Sequence, residues 1–189
     1  VFCKVETAIT LLDGEWIDKD PRAIMSQTPE LNVITGPFMH SFAKYLAGAW
    51  HSRFPVFYTS GATSEDVGSW RDWAAAHGRT CVENDCSRWD GTVGEPLLAL
   101  EEYVYERFGA RRRVHGRAII DVIRATRTKA GRTHHGAPFS VRGTRSSGVP
   151  WTSCGNSLIN GLIHVYAYFL HTGGLPPGMC ETNRPFMSC

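Results

Sequence analysis

Asp85 and Asp90, five residues apart in the segment Asp85-Cys-Ser-Arg-Trp-Asp90-Gly-Thr, are the side chains of this sequence best suited to chemistry. A carboxylate carried into a protein interior on a strand is costly unless it is paired or holds a cation. A hard divalent ion such as magnesium takes oxygen ligands and leaves room for substrate phosphates, which suits Asp85. Asp90 follows a turn and can face the same cleft from the side. Spacing alone leaves a plainer alternative open, in which these are turn residues and Asp90 caps the helix that begins near residue 95. A second group is Gly143-Thr-Arg-Ser-Ser147-Gly148-Val-Pro-Trp-Thr152-Ser-Cys-Gly-Asn156. Thr152 and Asn156 stand at i and i+4, so they share one face of a helix. Ser147 and Gly148 form the loop that feeds it, and Gly148 permits backbone angles that other residues resist. A polar pair on an otherwise apolar helix needs partners. Thr152 as N-cap and Asn156 bonded to a neighbouring loop would supply them without any ligand. The third group is Lys4-Val-Glu6 with Pro21-Arg22-Ala-Ile24. Arg22 is a permanent cation able to grip a phosphate at two points, although a lone arginine is more often an ordinary surface residue.

The elements that must position these groups can be read from periodicity and turn chemistry. Residues 1–9 suit a short strand, Gly14 and residues 18–21 mark turns, and 22–25 is extended. Thr35-Gly36-Pro37 reads as a helix start, with Phe38, Phe42, Tyr45 and Leu46 recurring on one face. A second helix starts at Thr63 or Ser64, with Glu65 and Asp66 at its positive end, and stops at Gly78; Trp70 and Trp73 are expected to pack in the core. Residues 80–82 then form a short buried strand that delivers Asp85. The spacing predicts a helix over 95–108 with Leu98 and Tyr105 inward, ended by Gly109. Mixed helix and loop signals follow, then a glycine- and serine-rich loop over 143–150. A helix over 152–171 lacks a polar face, so burial of its 158–170 stretch is expected. Residues 173–177 are a turn and 184–189 the start of a strand. Neither a repeat nor a linker divides the chain.

The order of the three groups resembles the RNA-dependent RNA polymerases of positive-strand RNA viruses, in particular the noda-like and tombus-like ones. Lys4-Val-Glu6 and Pro21-Arg22-Ala-Ile24, with Asn32 shortly after, look like motif F. Asp85-Cys-Ser-Arg-Trp-Asp90 looks like motif A, and Ser147-Gly148-x-x-x-Thr152-x-x-x-Asn156 like motif B. The resemblance implies a right-hand polymerase fold of α/β (α+β) class, with partial fingers over about 1–78 and 109–142 and partial palm over about 79–108 and 143–189. It implies template-directed RNA synthesis, in which a primer 3′-hydroxyl attacks a nucleotide by a two-metal mechanism during viral genome replication. Asp85 would hold magnesium or manganese. Asp90, Asn156 and Thr152 would recognise the ribose 2′-hydroxyl, and Ser147 and Gly148 would form a flexible loop beside the template nucleotide. Lys4 and Arg22 would steady the triphosphate. The implied partners are template and product RNA and nucleoside triphosphates. The implied setting is a viral replication complex in the host cytoplasm. Motif C, a Gly-Asp-Asp hairpin after motif B, does not occur. The expectation is therefore a chain cut just before it, lacking motifs D and E, the rest of the palm and the thumb, and inactive by itself.

Composition narrows the alternatives. With 189 residues, 42% hydrophobic and 20% charged, the chain has enough apolar material for a packed domain and is not of disordered type. A net charge of +2 is uninformative, but Arg107, Arg111, Arg112, Arg113, Arg117, Arg124, Arg127, Lys129 and Arg132 are opposed only by Asp121. That run suits a phosphate-facing surface or, equally, a solvated charged face. The six cysteines have no CxxC spacing, and His134 and His135 are adjacent, so a zinc site is not expected and the thiols are read as reduced and cytosolic. Neither a signal peptide nor a membrane-spanning stretch is discernible. Two other functions compete. A reverse-transcriptase-like palm would place a bulky aromatic gate where Asp90 stands. A non-catalytic RNA-binding module would use the basic run and leave the Asp85/Asp90 and Thr152/Asn156 spacings as coincidence. The coding sequence beyond Cys189 separates them: a Gly-Asp-Asp within roughly ten residues, as a short hairpin requires, favours the polymerase, and a stop codon the binding module.

Overall fold

The computed structural model describes residues 2–4, 10–12, 15–17, 22–25, 27–80, 86, 88–132 and 136–179. These form a mixed α/β structure of six helices and four small antiparallel sheets of two strands each. Strand β1 (Phe2–Lys4) pairs with β4 (Arg22–Ile24) and sets Lys4 opposite Arg22, while β2 (Thr10–Leu12) pairs with β3 (Glu15–Ile17). The expected strands around 80–82 and 184–189, and with them Val82 and Asp85, lie outside the described residues.

Helix α1 (Pro29–Ala49) begins earlier than the Gly36–Pro37 signal suggests, and Pro37 lies inside it. Pro29 is the proline of the first turn, where a missing N–H costs nothing. Within the helix, hydroxyls of Thr35 and Ser41 donate to carbonyls four residues back, at 2.8 and 3.0 Å. Met39, Phe42, Leu46 and the C-capping Trp50 form its buried stripe. Phe42 meets the ring of Tyr105 edge-on at 4.9 Å and that of Phe108 at 5.2 Å. These two residues belong to, or cap, helix α4 (Glu95–Arg107), so α1 and α4 share one core. Helix α5 (Ile119–Ala125) closes that core with Ile119, Ile120 and Ile123.

Helix α2 (Ser64–Ala76) starts as its sequence predicts, on a capping box in which Thr63 and Asp66 satisfy each other's backbone N–H groups. Its tryptophans depart from the expected core packing, because both are only half-buried. Trp70 donates its indole N–H to the Phe54 carbonyl at 3.0 Å, and Trp73 stacks on His77 and beneath the Arg79 guanidinium. An indole with a polar handle serves well at such an edge.

The basic stretch is more ordered than its mixed signals suggest. A small hairpin of β5 (Arg113–Val114) and β6 (Arg117–Ala118) leads into α5, and a longer one pairs β7 (Thr128–Arg132) with β8 (Pro138–Arg142). The alternation that would mark β7 is hidden because its inward positions hold Lys129 and Gly131 rather than apolar side chains. Helix α3 (Trp89–Thr92) is a single turn.

Helix α6 (Thr152–Thr172) is present, but its expected burial holds only in its first half. Cys154, Gly155, Leu158, Ile159 and Gly161 are buried, whereas Tyr166 and Leu170 are 62% and 66% exposed. The reason is length: 21 residues span about 30 Å of helix, and the 13 residues of α4 only about 20 Å. Among the described residues no helix is long and apolar enough to cross a membrane.

One side-chain-free position shows how closely α6 is held. A Cβ on Gly161 would stand 2.7 Å from the Trp50 ring, whereas one on Gly48 of α1 would meet open space. Gly161→Ala should therefore lower stability by about 1–3 kcal/mol through overpacking. Gly48→Ala should raise it by up to about 1 kcal/mol through helix propensity. Opposite shifts of the unfolding midpoint in denaturant check this; equal shifts would mean that α6 does not pack on Trp50.

Candidate active site

Asp90 reaches its position by an uncommon backbone turn. Arg88, just before α3, adopts left-handed angles (φ 53°) that a residue with a Cβ takes only at a cost of about 1–3 kcal/mol. The turn sets Asp90 in the first turn of α3, facing the start of α6. There both carboxylate oxygens are engaged. The Ser147 hydroxyl donates to Oδ2, and the Asn156 amide donates from Nδ2 to Oδ1 at 3.2 Å. Asp90, Ser147 and Asn156, which lie up to 66 residues apart in the chain, thus form one hydrogen-bonded cluster. Asp90 does not cap α4; the N-cap there is Gly94.

The loop that carries Ser147 is held at both ends. Gly148 has φ 107°, the glycine conformation expected of it. Thr152 is the first residue of α6 and not its N-cap. Its hydroxyl lies 2.8 Å from the Ser146 carbonyl and 3.0 Å from that of Val149, and accepts from the Gly148 N–H at 3.3 Å. Thr152 therefore braces the 146–149 loop and does not itself touch Asp90. On the other side, the Met25 N–H donates to the Ser147 carbonyl at 2.7 Å, which brings the end of β4 against this loop. Arg22 and Lys4 are register partners on the β1–β4 pair next to it.

Beneath the cluster lies a group that the sequence reasoning missed. Arg145 forks its guanidinium onto Glu101, Nη1 to Oε1 at 3.0 Å and Nη2 to Oε2 at 2.6 Å. The two side chains are 1% and 2% exposed. The third guanidinium nitrogen, Nε, reaches Asn156 Oδ1 at 2.8 Å, and the Arg145 backbone N–H bonds the Asp90 carbonyl at 2.9 Å. Tyr105 donates to Glu101 Oε1 at 2.5 Å. Burial pushes the Glu101 carboxyl above its ordinary range, with the Arg145 guanidinium pulling against it. Burial, reinforced by the neighbouring Glu101 charge, pushes the Tyr105 hydroxyl well up, so it stays a donor. A signal for this group did exist. Glu101 and Glu102 fall at helical spacing between Leu98 and Tyr105, on the face assigned to the core, where a carboxylate demands a partner.

Glu102 finds partners in the basic stretch. Arg127 donates to it twice at 2.6 Å and Arg124 at 3.1 Å, while Arg124 and Arg111 also hold Glu106. Lys129 donates to both oxygens of Thr144, and burial lowers its amine below the usual lysine range, with Arg145 adding to the effect and Asp90 opposing it. Arg111, Arg124 and Arg127 of the run thus neutralise α4, while Arg107, Arg112, Arg113, Arg117 and Arg132 are exposed.

Among the described residues no three His, Cys, Asp or Glu side chains gather as metal ligands. The Asp90 carboxylate accepts from Ser147 and Asn156 and keeps further lone pairs for another donor. Asp85 lies outside the described residues, and no step through a metal is derived from this geometry.

A model of the family described as viral RNA dependent RNA polymerase matches residues 5–182 of the chain. No curated protein and no solved structure matches it.

Cys154 sits against this core with its thiol 4.0 Å from the Tyr105 hydroxyl, and burial pushes its pKa to about 11. Cys86 is exposed. Alkylation of the folded protein at neutral pH should label Cys86 at least about tenfold faster than Cys154, since only an accessible thiolate reacts. Equal labelling in peptide mass spectra would refute the buried placement of α6.

Proposed function

The chain belongs to the viral RNA-dependent RNA polymerase family, and from that premise we propose that Asp90, Ser147 and Asn156 form the site that recognises the ribose 2′-hydroxyl of the incoming nucleotide. Members of this family synthesise RNA on an RNA template, so the chain is part of an RNA-directed RNA polymerase, a nucleotidyltransferase of viral RNA replication. What supports the ribose reading is the hydrogen bond between Asp90 and Asn156, with Ser147 on the other carboxylate oxygen. A carboxylate accepts, whereas an amide and a hydroxyl donate. A 2′-hydroxyl entering such a cluster can donate to a further lone pair of Asp90 and accept the second N–H of the Asn156 amide, and a deoxyribose can do neither. A site that bonds a hydroxyl as both acceptor and donor discriminates against the analogue lacking it, which forgoes both hydrogen bonds. Thr152 supports the site by bracing the loop that carries Ser147 and Gly148.

The finer roles rest on the resemblance and on placement along the chain. Asp85 is proposed as the ligand of a catalytic magnesium or manganese ion, five residues before Asp90. Such an ion, when bound, neutralises charge on the transferring phosphoryl group. Lys4 and Arg22, opposed on the β1–β4 pair beside the Ser147 loop, are proposed to hold the triphosphate. The proposed division remains fingers over about 1–78 and 109–142 and palm over about 79–108 and 143–189. The partners follow from the family's reaction: RNA template, RNA product and nucleoside triphosphates.

In the polymerase that carries this chain, Asp85→Ala should abolish extension of an RNA primer while RNA binding persists. Extension that survives the change would remove the metal role. Asp90→Ala or Asn156→Ala should lower the preference for ribonucleotides over deoxyribonucleotides by about tenfold or more, the worth of one charge-assisted hydrogen bond. Unchanged kcat/KM ratios would refute the ribose reading.

A further inference from the structure

We propose that the buried Arg145–Glu101 pair is the positioning device that orients Asn156 and Asp90 for discrimination between ribose and deoxyribose; the inference rests on the ribose reading above. A free carboxamide has two nearly equivalent orientations, with oxygen and nitrogen exchanged. In this site only one of them serves. Nδ2 must face Asp90, because a carboxylate repels the amide oxygen. Arg145 Nε has no acceptor capacity, and it lies 2.8 Å from Asn156 Oδ1. It therefore holds the oxygen on its own side and turns the nitrogen toward Asp90 Oδ1. The same residue holds the other partner, since its backbone N–H bonds the Asp90 carbonyl. One arginine thus grips both members of the selective pair from behind, touching neither substrate nor reacting atoms.

Arg145 is in turn fixed by Glu101. The planar fork onto both carboxylate oxygens leaves Nε no other direction in which to point. Tyr105 donates to the same carboxylate and prevents it from rotating. Close approach completes the arrangement: a Cβ on Gly155 would overlap Glu101 Oε1 and stand 3.0 Å from the Arg145 guanidinium. The residue before Asn156 must therefore have no side chain for the pair to lie against α6. A buried ion pair is poor value for stability alone, because well-packed apolar residues serve as well or better. Here the pair has a directional task that apolar residues cannot perform.

The test uses the polymerase that carries this chain and compares single-nucleotide incorporation of ribo- and deoxyribonucleoside triphosphates. Arg145→Lys keeps a charge opposite Glu101, but a single ammonium cannot fork that carboxylate and hold Asn156 at once. The expected result is a fall of about tenfold in kcat/KM for the ribonucleotide, the equivalent of one charge-assisted hydrogen bond, with the deoxyribonucleotide unchanged. The double variant Glu101→Gln with Arg145→Met removes both buried charges together and should give the same selective loss. Adding Arg145→Lys to Asn156→Ala should lower discrimination no further, because both act through one amide. An equal loss for both nucleotides, an unchanged ratio, or failure of both variants to fold would make the pair purely structural and overturn the proposal. Should Asn156→Ala lower discrimination while the Arg145 variants do not, this inference alone falls. Should Asn156→Ala itself leave the ratio unchanged, the ribose reading falls and takes the inference with it.

Discussion

Burying a carboxylate and a guanidinium together sets the terms for the rest of this structure. Each ion would lose several kcal/mol of hydration on entering the interior alone. Glu101 and Arg145 therefore enter as a forked pair or not at all, and the fork fixes their distance and plane. Glu101 belongs to α4, and Arg145 to the loop before α6. The pairing thereby ties the helix at the centre of the aromatic core to the loop that carries Ser147. The requirement propagates outward. Gly155 must lack a side chain, Tyr105 must keep its proton, and Asn156 must turn its oxygen inward.

The same helix explains where the arginines go. One face of α4 carries Leu98, Glu101, Glu102 and Tyr105 in a place that periodicity assigns to the core, and Glu106 follows at its margin. Glu101 is answered by Arg145, and Glu102 and Glu106 by Arg111, Arg124 and Arg127 from α5 and the residues around it. What reads in one dimension as a block of positive charge contains, in three dimensions, one half of an ion-pair network. The other half is 5 to 25 residues away from it in sequence, depending on the pair. Isolated surface pairs contribute little to stability. Glu102, by contrast, is buried and accepts from two arginines, so this part of the network fixes the register between α4 and α5.

The β7–β8 hairpin has a comparable role for the loop. Strand β8 leads through Gly143, whose φ of 73° turns the chain beneath α4, where a Cβ would stand 2.6 Å from the Glu95 side chain. The next residues, Thr144 and Arg145, are thereby aimed inward, one toward Lys129 and the other toward Glu101. Local turn chemistry and distant charge pairing agree on the same path, which is the consistency expected of a segment with one structure.

Much of this was legible in one dimension. The helix start at Thr63 or Ser64, the helix over 95–108, the long helix from Thr152 and the special backbone of Gly148 follow from local rules of capping, periodicity and glycine conformation. So did the choice of Asp90 and Asn156 as candidates that could meet, because residue types at characteristic spacings survive in a linear reading. The start of α1 was misread because two prolines compete for the same role and only packing chooses Pro29. The depth of α6 was misread because burial depends on what lies alongside, and α4 is too short to cover it. The sequence by itself determined which side chains could do the chemistry and which local elements carry them, since both are properties of neighbours along the chain. Only the tertiary structure decided that Arg145 answers Glu101, that Arg127 answers Glu102, and that Asn156 therefore points its amide at Asp90. Charge pairing across 44 residues is settled by which buried ions can be desolvated together, and a linear pattern carries no record of that.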